Sequence, residues 1–206
     1  RAIIVIVVLA LAIWGASGFF RVQPDELGVR LVFGKMVGVS PPGLNYNWPA
    51  PVGAVLRPKV TARNLTEVGF RRSIGAAGRG EFVRDVSEES LMLTGDENII
   101  DVQVVVFWKI DTRQRPGTQT GSQLVIQDGV RNFLFNIRNP EKTVKDAAEA
   151  ALREIVGKNN FEFARTGGRV QIEGEAQKLI QQILDSYGAG VEVTRVQLQK
   201  VDPPGS

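Results

Sequence analysis

Cysteine and histidine are both absent from the 206 residues, and each absence removes a set of chemistries. There is no disulfide framework, no thiolate nucleophile, no Cys/His zinc site and no Ser-His-Asp triad. A block of like charge is also missing. The 25 Lys and Arg are interspersed with 22 Asp and Glu, leaving a net +3, so nucleic acid is poorly supported as a partner.

Charge is missing altogether between Ala2 and Phe20, where 16 of 19 residues are apolar (AIIVIVVLALAIWGASGFF). As one helix this run would span about 28 Å, close to the ~30 Å hydrocarbon core of a bilayer. The spacing therefore predicts a transmembrane helix over 1–20. Ile3, Ile6, Leu9 and Leu11 would face lipid, with Trp14, Phe19 and Phe20 toward one interface. A buried core helix and a cleavable signal peptide are the alternatives. Charge sets no orientation, because Arg1 stands on one side and Arg21, Arg30 and Lys35 on the other.

Beyond Arg21 the chain reads as a water-soluble body. Leu27, Val29, Leu31 and Phe33 alternate as a short strand. Five of the ten prolines then fall between Pro41 and Pro58, interleaved with Leu44, Tyr46 and Trp48, which restricts the segment to loop or edge structure. Those three side chains form either a membrane-interface loop or a plug for a small core. Val60 to Phe70 reads as a strand, Arg71 to Arg84 as a charged, glycine-containing loop. Ile100 to Ile110 reads as a long strand with one buried face, Asp101 lying opposite the apolar ladder and toward water or a neighbouring subunit.

Arg113 to Ser122 is polar and reads as a surface loop. A helix comes next, with Asn139 as N-cap, Pro140 at its first position and Gly157 as stop. A second helix runs from Arg169 to Tyr187, and Val191 to Val201 is a final strand with a slip in parity. The order predicts an α+β fold with a boundary near residue 90, strands first and then strand-helix-helix-strand.

Nothing in this pattern points to a reaction centre. Gly75 to Gly80 lacks the Lys-Ser/Thr of a phosphate loop. The acidic group Asp85, Glu88, Glu89, Asp96, Glu97 and Asp101 lacks calcium-loop spacing and reads as solvated. A Ser-Lys nucleophile is compatible with composition, but no S-x-x-K pattern occurs. No catalytic, cofactor-binding or metal-binding residue is predicted.

Several stretches in order carry a resemblance. Val22-Gln23-Pro24-Asp25-Glu26-Leu27-Gly28-Val29, Phe33-Gly34-Lys35, Pro42-Gly43-Leu44 and Trp48-Pro49 resemble the opening of the SPFH (stomatin, prohibitin, flotillin, HflK/C; band 7) family. Met92 to Gln103 (MLTGDENIIDVQ), Phe133-Leu134-Phe135 with Asn139-Pro140, Ala151 to Gly157 and Val201-Asp202-Pro203-Pro204 are similar to its HflK-type branch. Two departures stand out. About twenty residues, Thr112 to Arg131, intervene where relatives run almost directly on, and the family's Thr-Glu-Gly-Arg is Thr166-Gly167-Gly168-Arg169.

The resemblance implies a transmembrane helix (1–20) and two small SPFH subdomains (21–90 and 91–202). It also implies that the family's C-terminal coiled coil lies outside this chain, whose Arg1 start and Asp202 to Ser206 end read as those of a piece. By resemblance the protein is a non-enzymatic scaffold in the bacterial inner membrane, single-pass, with its N-terminus cytoplasmic and its body periplasmic. Its partners would be an HflC-like SPFH subunit, the lipid bilayer and a membrane-bound AAA protease of the FtsH type. These would form a hetero-oligomeric ring or cage around a membrane patch. The alternatives are a stomatin- or prohibitin-like homo-oligomer organising lipid microdomains and, remoter, a Ser-Lys membrane peptidase.

Overall fold

A computed structural model describes residues 2–74, 81–112, 122–165 and 167–203. The chain is α+β, its paired strands antiparallel wherever a register is defined, and it divides into two compact units. The first comprises residues 1–62 and 110–131, the second 63–109 and 132–206. The expected boundary near residue 90 therefore falls inside the second unit.

In the first unit the run expected to be one helix over 1–20 is two elements. Helix α1 (Ala2–Ala16) is followed by a turn and by strand β1 (Phe19–Val22). The turn has one local and one long-range cause. Ser17 N–H is shared between Ile13 O and Trp14 O, its hydroxyl donates to Trp14 O, and Gly18 passes so close to Asn47 that an added Cβ would lie 2.2 Å from its carbonyl oxygen. At 15 residues, α1 extends about 22 Å, short of the ~30 Å hydrocarbon core. Among the described residues no helix is long and apolar enough to cross a membrane.

Strands β2 (Gly28–Val32), β3 (Lys35–Ser40) and β5 (Gly53–Leu56) form a sheet with β2 at its centre, and β4 (Gly43–Tyr46) pairs with β1. The Pro-rich segment thus supplies two four-residue strands, the sort of edge structure its composition allows. Phe20, Val22, Val29 and Leu31 are buried. Gly28 permits their packing, since a Cβ there would meet Val22 at 2.8 Å.

The second unit holds β6 (Asn64–Val68), β7 (Phe70–Ile74), β8 (Glu81–Asp85), α2 (Ser87–Ser90), β9 (Leu91–Leu93) and most of β10 (Ile99–Ile110). Beyond α3 (Ser122–Phe135), which crosses the unit boundary, come α4 (Pro140–Lys158), α5 (Phe161–Arg165), α6 (Arg169–Ser186) and β11 (Val191–Asp202). The sheet order is β11-β10-β6, with β9 also on β10, and β7 pairs with β8 as a hairpin. The Arg71–Arg84 segment is therefore largely strand, not loop. Its glycine-rich 75–80 lies outside the described residues, as does 113–121 of the expected polar loop.

The core of this unit is the ladder Ile100, Val102, Val104, Val106 and Trp108 against α4 and α6. On α4 the face Val144, Ala148, Ala151, Leu152, Ile155 and Val156 is buried. On α6 the buried stripe is Ile172, Ala176, Ile180 and Leu184, at a spacing of four. Leu179 and Ile183 flank it, partly buried, and Tyr187 is exposed. Fully burying each Leu or Ile contributes about 1.5–3 kcal/mol. Asn139 caps α4 as expected, its side chain accepting from Lys142 N–H. Helix α4 ends one residue beyond Gly157, whereas α6 ends at Gly188 and Gly190, both in the left-handed region.

Candidate membrane-facing surface

Apolar exposure in the first unit is concentrated in three places. The first is α1, where every residue from Ala2 to Ile13 is exposed. Ile3, Ile6, Leu9 and Leu11 are therefore not core residues of the described chain. Trp14, near the C-terminal end of α1, is half-buried, and its indole N–H donates to Ala50 O at 2.8 Å. That bond ties the foot of the helix to the Pro-rich segment.

The second place is the β1–β4 ribbon. Its register sets Phe19 opposite Tyr46 and Arg21 opposite Leu44, so these four share a face. Phe19 and Tyr46 meet edge to face at 5.2 Å. Leu44 is 74% exposed, Phe19 60% and, two residues past Tyr46, Trp48 55%. Phe20 points the other way and is buried, with the Arg57 guanidinium 5.9 Å from its ring centre. Leu44 and Trp48 are thus not a core plug. Asn47, between Tyr46 and Trp48, is buried and donates to Leu31 O and Ala54 O, locking the segment onto the sheet.

The third place was not legible from alternation, which put Phe33 on the inner face of its strand. Strand β2 ends at Val32, and Phe33 and Gly34 make a two-residue hairpin turn with φ of 49° and 77°. Phe33 is 78% exposed at the tip. Its N–H donates to Val52 O at 2.9 Å, two residues from the carbonyl that holds Trp14. The sequence signal was Phe-Gly flanked by two apolar runs. Charge accompanies this surface, since residues 1–62 carry six Lys and Arg but only two Asp and Glu.

Several carboxylates of the second unit hold its elements together. Glu89 accepts both Arg71 guanidinium contacts, at 2.9 and 3.0 Å, the Lys145 ammonium and Gly69 N–H. Burial pushes its carboxyl up, but the Lys145 and Gly69 bonds and the charges of Arg71 and Lys145 outweigh that and hold it below its ordinary value. Asp96 is lowered chiefly by the Thr94 hydroxyl, against desolvation and with help from Phe161 N–H. The latter bond caps α5. Asp101, expected to face water or a neighbouring subunit, is buried and pairs with Lys200 at 3.1 Å, raising the Lys200 pKa. Gln103 beside it donates to Asp85.

Among the described residues no three carboxylates converge as metal ligands. The Ser17 hydroxyl, just past α1, donates to Trp14 O, and the Ser186 hydroxyl donates to Ile183 O within α6. Lys145, Lys158 and Lys200 are engaged by carboxylates. None of these is arranged as a nucleophile with its base.

The architecture is α+β, and its first unit exposes an apolar helix and an aromatic ribbon. Residues 20–206 match the SPFH domain / Band 7 family, and the chain belongs to that family. It is 32% identical over 200 residues to Protein HflK of Treponema pallidum, covering 96% of this chain and 55% of that protein. To Protein HflK of Buchnera aphidicola subsp. Schizaphis graminum it is 27% identical over 201 residues, covering 98% and 40%. To the Modulator of FtsH protease HflK of Escherichia coli K12 it is 24% identical over 204 residues, covering 99% and 40%. The chain thus spans roughly half or less of the length of these relatives.

Proposed function

We propose that this chain is an HflK-type scaffold subunit. It seats on a bilayer through α1 and the aromatic ribbon, and packs beside an HflC-like SPFH subunit in a ring or cage. The assembly encloses a membrane patch and regulates access to an AAA protease of the FtsH type. The body is periplasmic, and the subunit performs no chemistry of its own. The observation that carries the membrane part is the exposed helix, tied by Trp14 to a loop whose neighbours Phe19, Leu44, Tyr46 and Trp48 are also exposed. Aromatic side chains next to a cationic surface suit the headgroup layer. The partners rest on the family and on the relatives' similarity along nearly the whole chain.

Quenching by brominated acyl chains tests the seating. In vesicles, a variant retaining only Trp48 (Trp14→Phe, Trp108→Phe) is expected to be quenched. A variant retaining only the buried Trp108 is expected to be unaffected. Equal responses from the two would contradict the reading.

A further inference from the structure

A cleft of about 570 Å³ opens in the second unit between β6 and the first turns of α4. One wall is the edge of a sheet. Strand β6 ends the order β11-β10-β6, so among the described residues no strand lies on its outer side. Glu67 O accepts Arg71 Nη1 at 3.0 Å, which places the backbone groups of Glu67 on that outer side. Alternation turns the N–H and C=O of Leu65 the same way. The Leu65 side chain is 54% exposed at the rim.

The lining is cationic in an otherwise slightly acidic unit. Arg71, Arg72, Lys142 and Lys145 face Glu67 and Glu141. Arg72 pairs with Glu67, and the single carboxylate of Glu89 is shared by Arg71 and Lys145. Among the described residues no carboxylate pairs with Lys142. A strand edge, a helix beside it and Lys142 without a carboxylate partner among the described residues make a groove for strand addition.

The geometry points to this groove as a docking site for an extended, acidic peptide segment of another protein. The segment adds to β6 by exchanging backbone hydrogen bonds with Leu65. Its carboxylates lie toward Lys142 and Lys145, and an apolar side chain covers Leu65. This site is independent of the membrane-facing surface.

The test uses the whole chain in nanodiscs and a fluorescein-labelled hexapeptide of alternating valine and glutamate, read by anisotropy. The glutamate peptide should bind about tenfold or more tighter than its lysine counterpart, and Lys142→Glu should remove about the same factor. N-methylating alternate amides of the peptide should abolish binding, as should Leu65→Pro, which removes an outward N–H that β10 does not use. Amide shifts should move at 64–68. Should Leu65→Pro unfold, the exposed Lys142→Glu decides. Equal binding of the lysine or N-methylated peptide overturns the proposal. So does unchanged binding by Lys142→Glu, no binding at millimolar peptide, or occupation of the edge by a second copy of the chain.

Discussion

Glu89 binds three parts of the second unit together. Its carboxylate joins β7, the turn at Gly69 and α4. Glu89→Gln keeps the shape but leaves two cations without their counter-charge, and should cost about 2 kcal/mol at neutral pH. Because the folded-state pKa is lowered, the wild-type contribution is complete above the ordinary value of 4.5 and is lost as pH falls through the lowered value. Urea unfolding at pH 7 and then at stepwise lower pH should show the wild type converging on the Gln variant only in the acid range. A constant gap down to pH 2 would contradict the assignment. Asp101 teaches the opposite lesson about legibility. Its place on the strand was readable from alternation, but alternation assigns a residue to a face and cannot say what covers that face. Lys200, 99 residues away, does.

Elements were legible where their signals are local. The α4 boundary rests on the Asn139 side chain and Pro140, both a few residues from the turn they govern. Asn139→Ala should therefore lower stability by about 1 kcal/mol, measured by thermal or urea unfolding, and no change would contradict the cap. Helix α3 was missed because it lacks such punctuation and includes Gly129, where an added Cβ would lie 2.1 Å from Asp111 O. The end of α1 was missed for a related reason. Apolar residues resume at Phe19 and Phe20 after Ser17 and Gly18, and the pairing of β1 with the distant β4 turns them into a ribbon. The ribbon makes its own prediction. Phe19→Asp with Leu44→Asp changes two exposed side chains on one face and should weaken flotation with vesicles about tenfold, while Leu93→Asp, equally exposed in the second unit, should not. Equal behaviour of the two variants would show that the ribbon does not touch lipid.

At the scale of the whole molecule, the α+β class and the family were both readable. The first came from the switch between period-two and helical patterning. The second came from motifs whose structural reason is now visible. In Met92 to Gln103, Gly95 approaches the end of α4, with its N–H on Asn159 O, while Asp96 caps α5. Gln103 holds Asp85. Such residues preserve a fold, and their presence says nothing of a substrate. The two-unit division was less legible, because the first unit is completed by residues 110–131, far along the chain.

A scaffold subunit is defined by what it assembles with. Gentle extraction of the full-length protein from its native membrane, followed by mass determination and identification of co-purifying chains, measures this in one experiment. A very large particle containing a second SPFH-type subunit and an AAA protease is the predicted result. A particle of this chain alone would favour a homo-oligomeric membrane organiser, and a monomer without partners would contradict the scaffold role altogether.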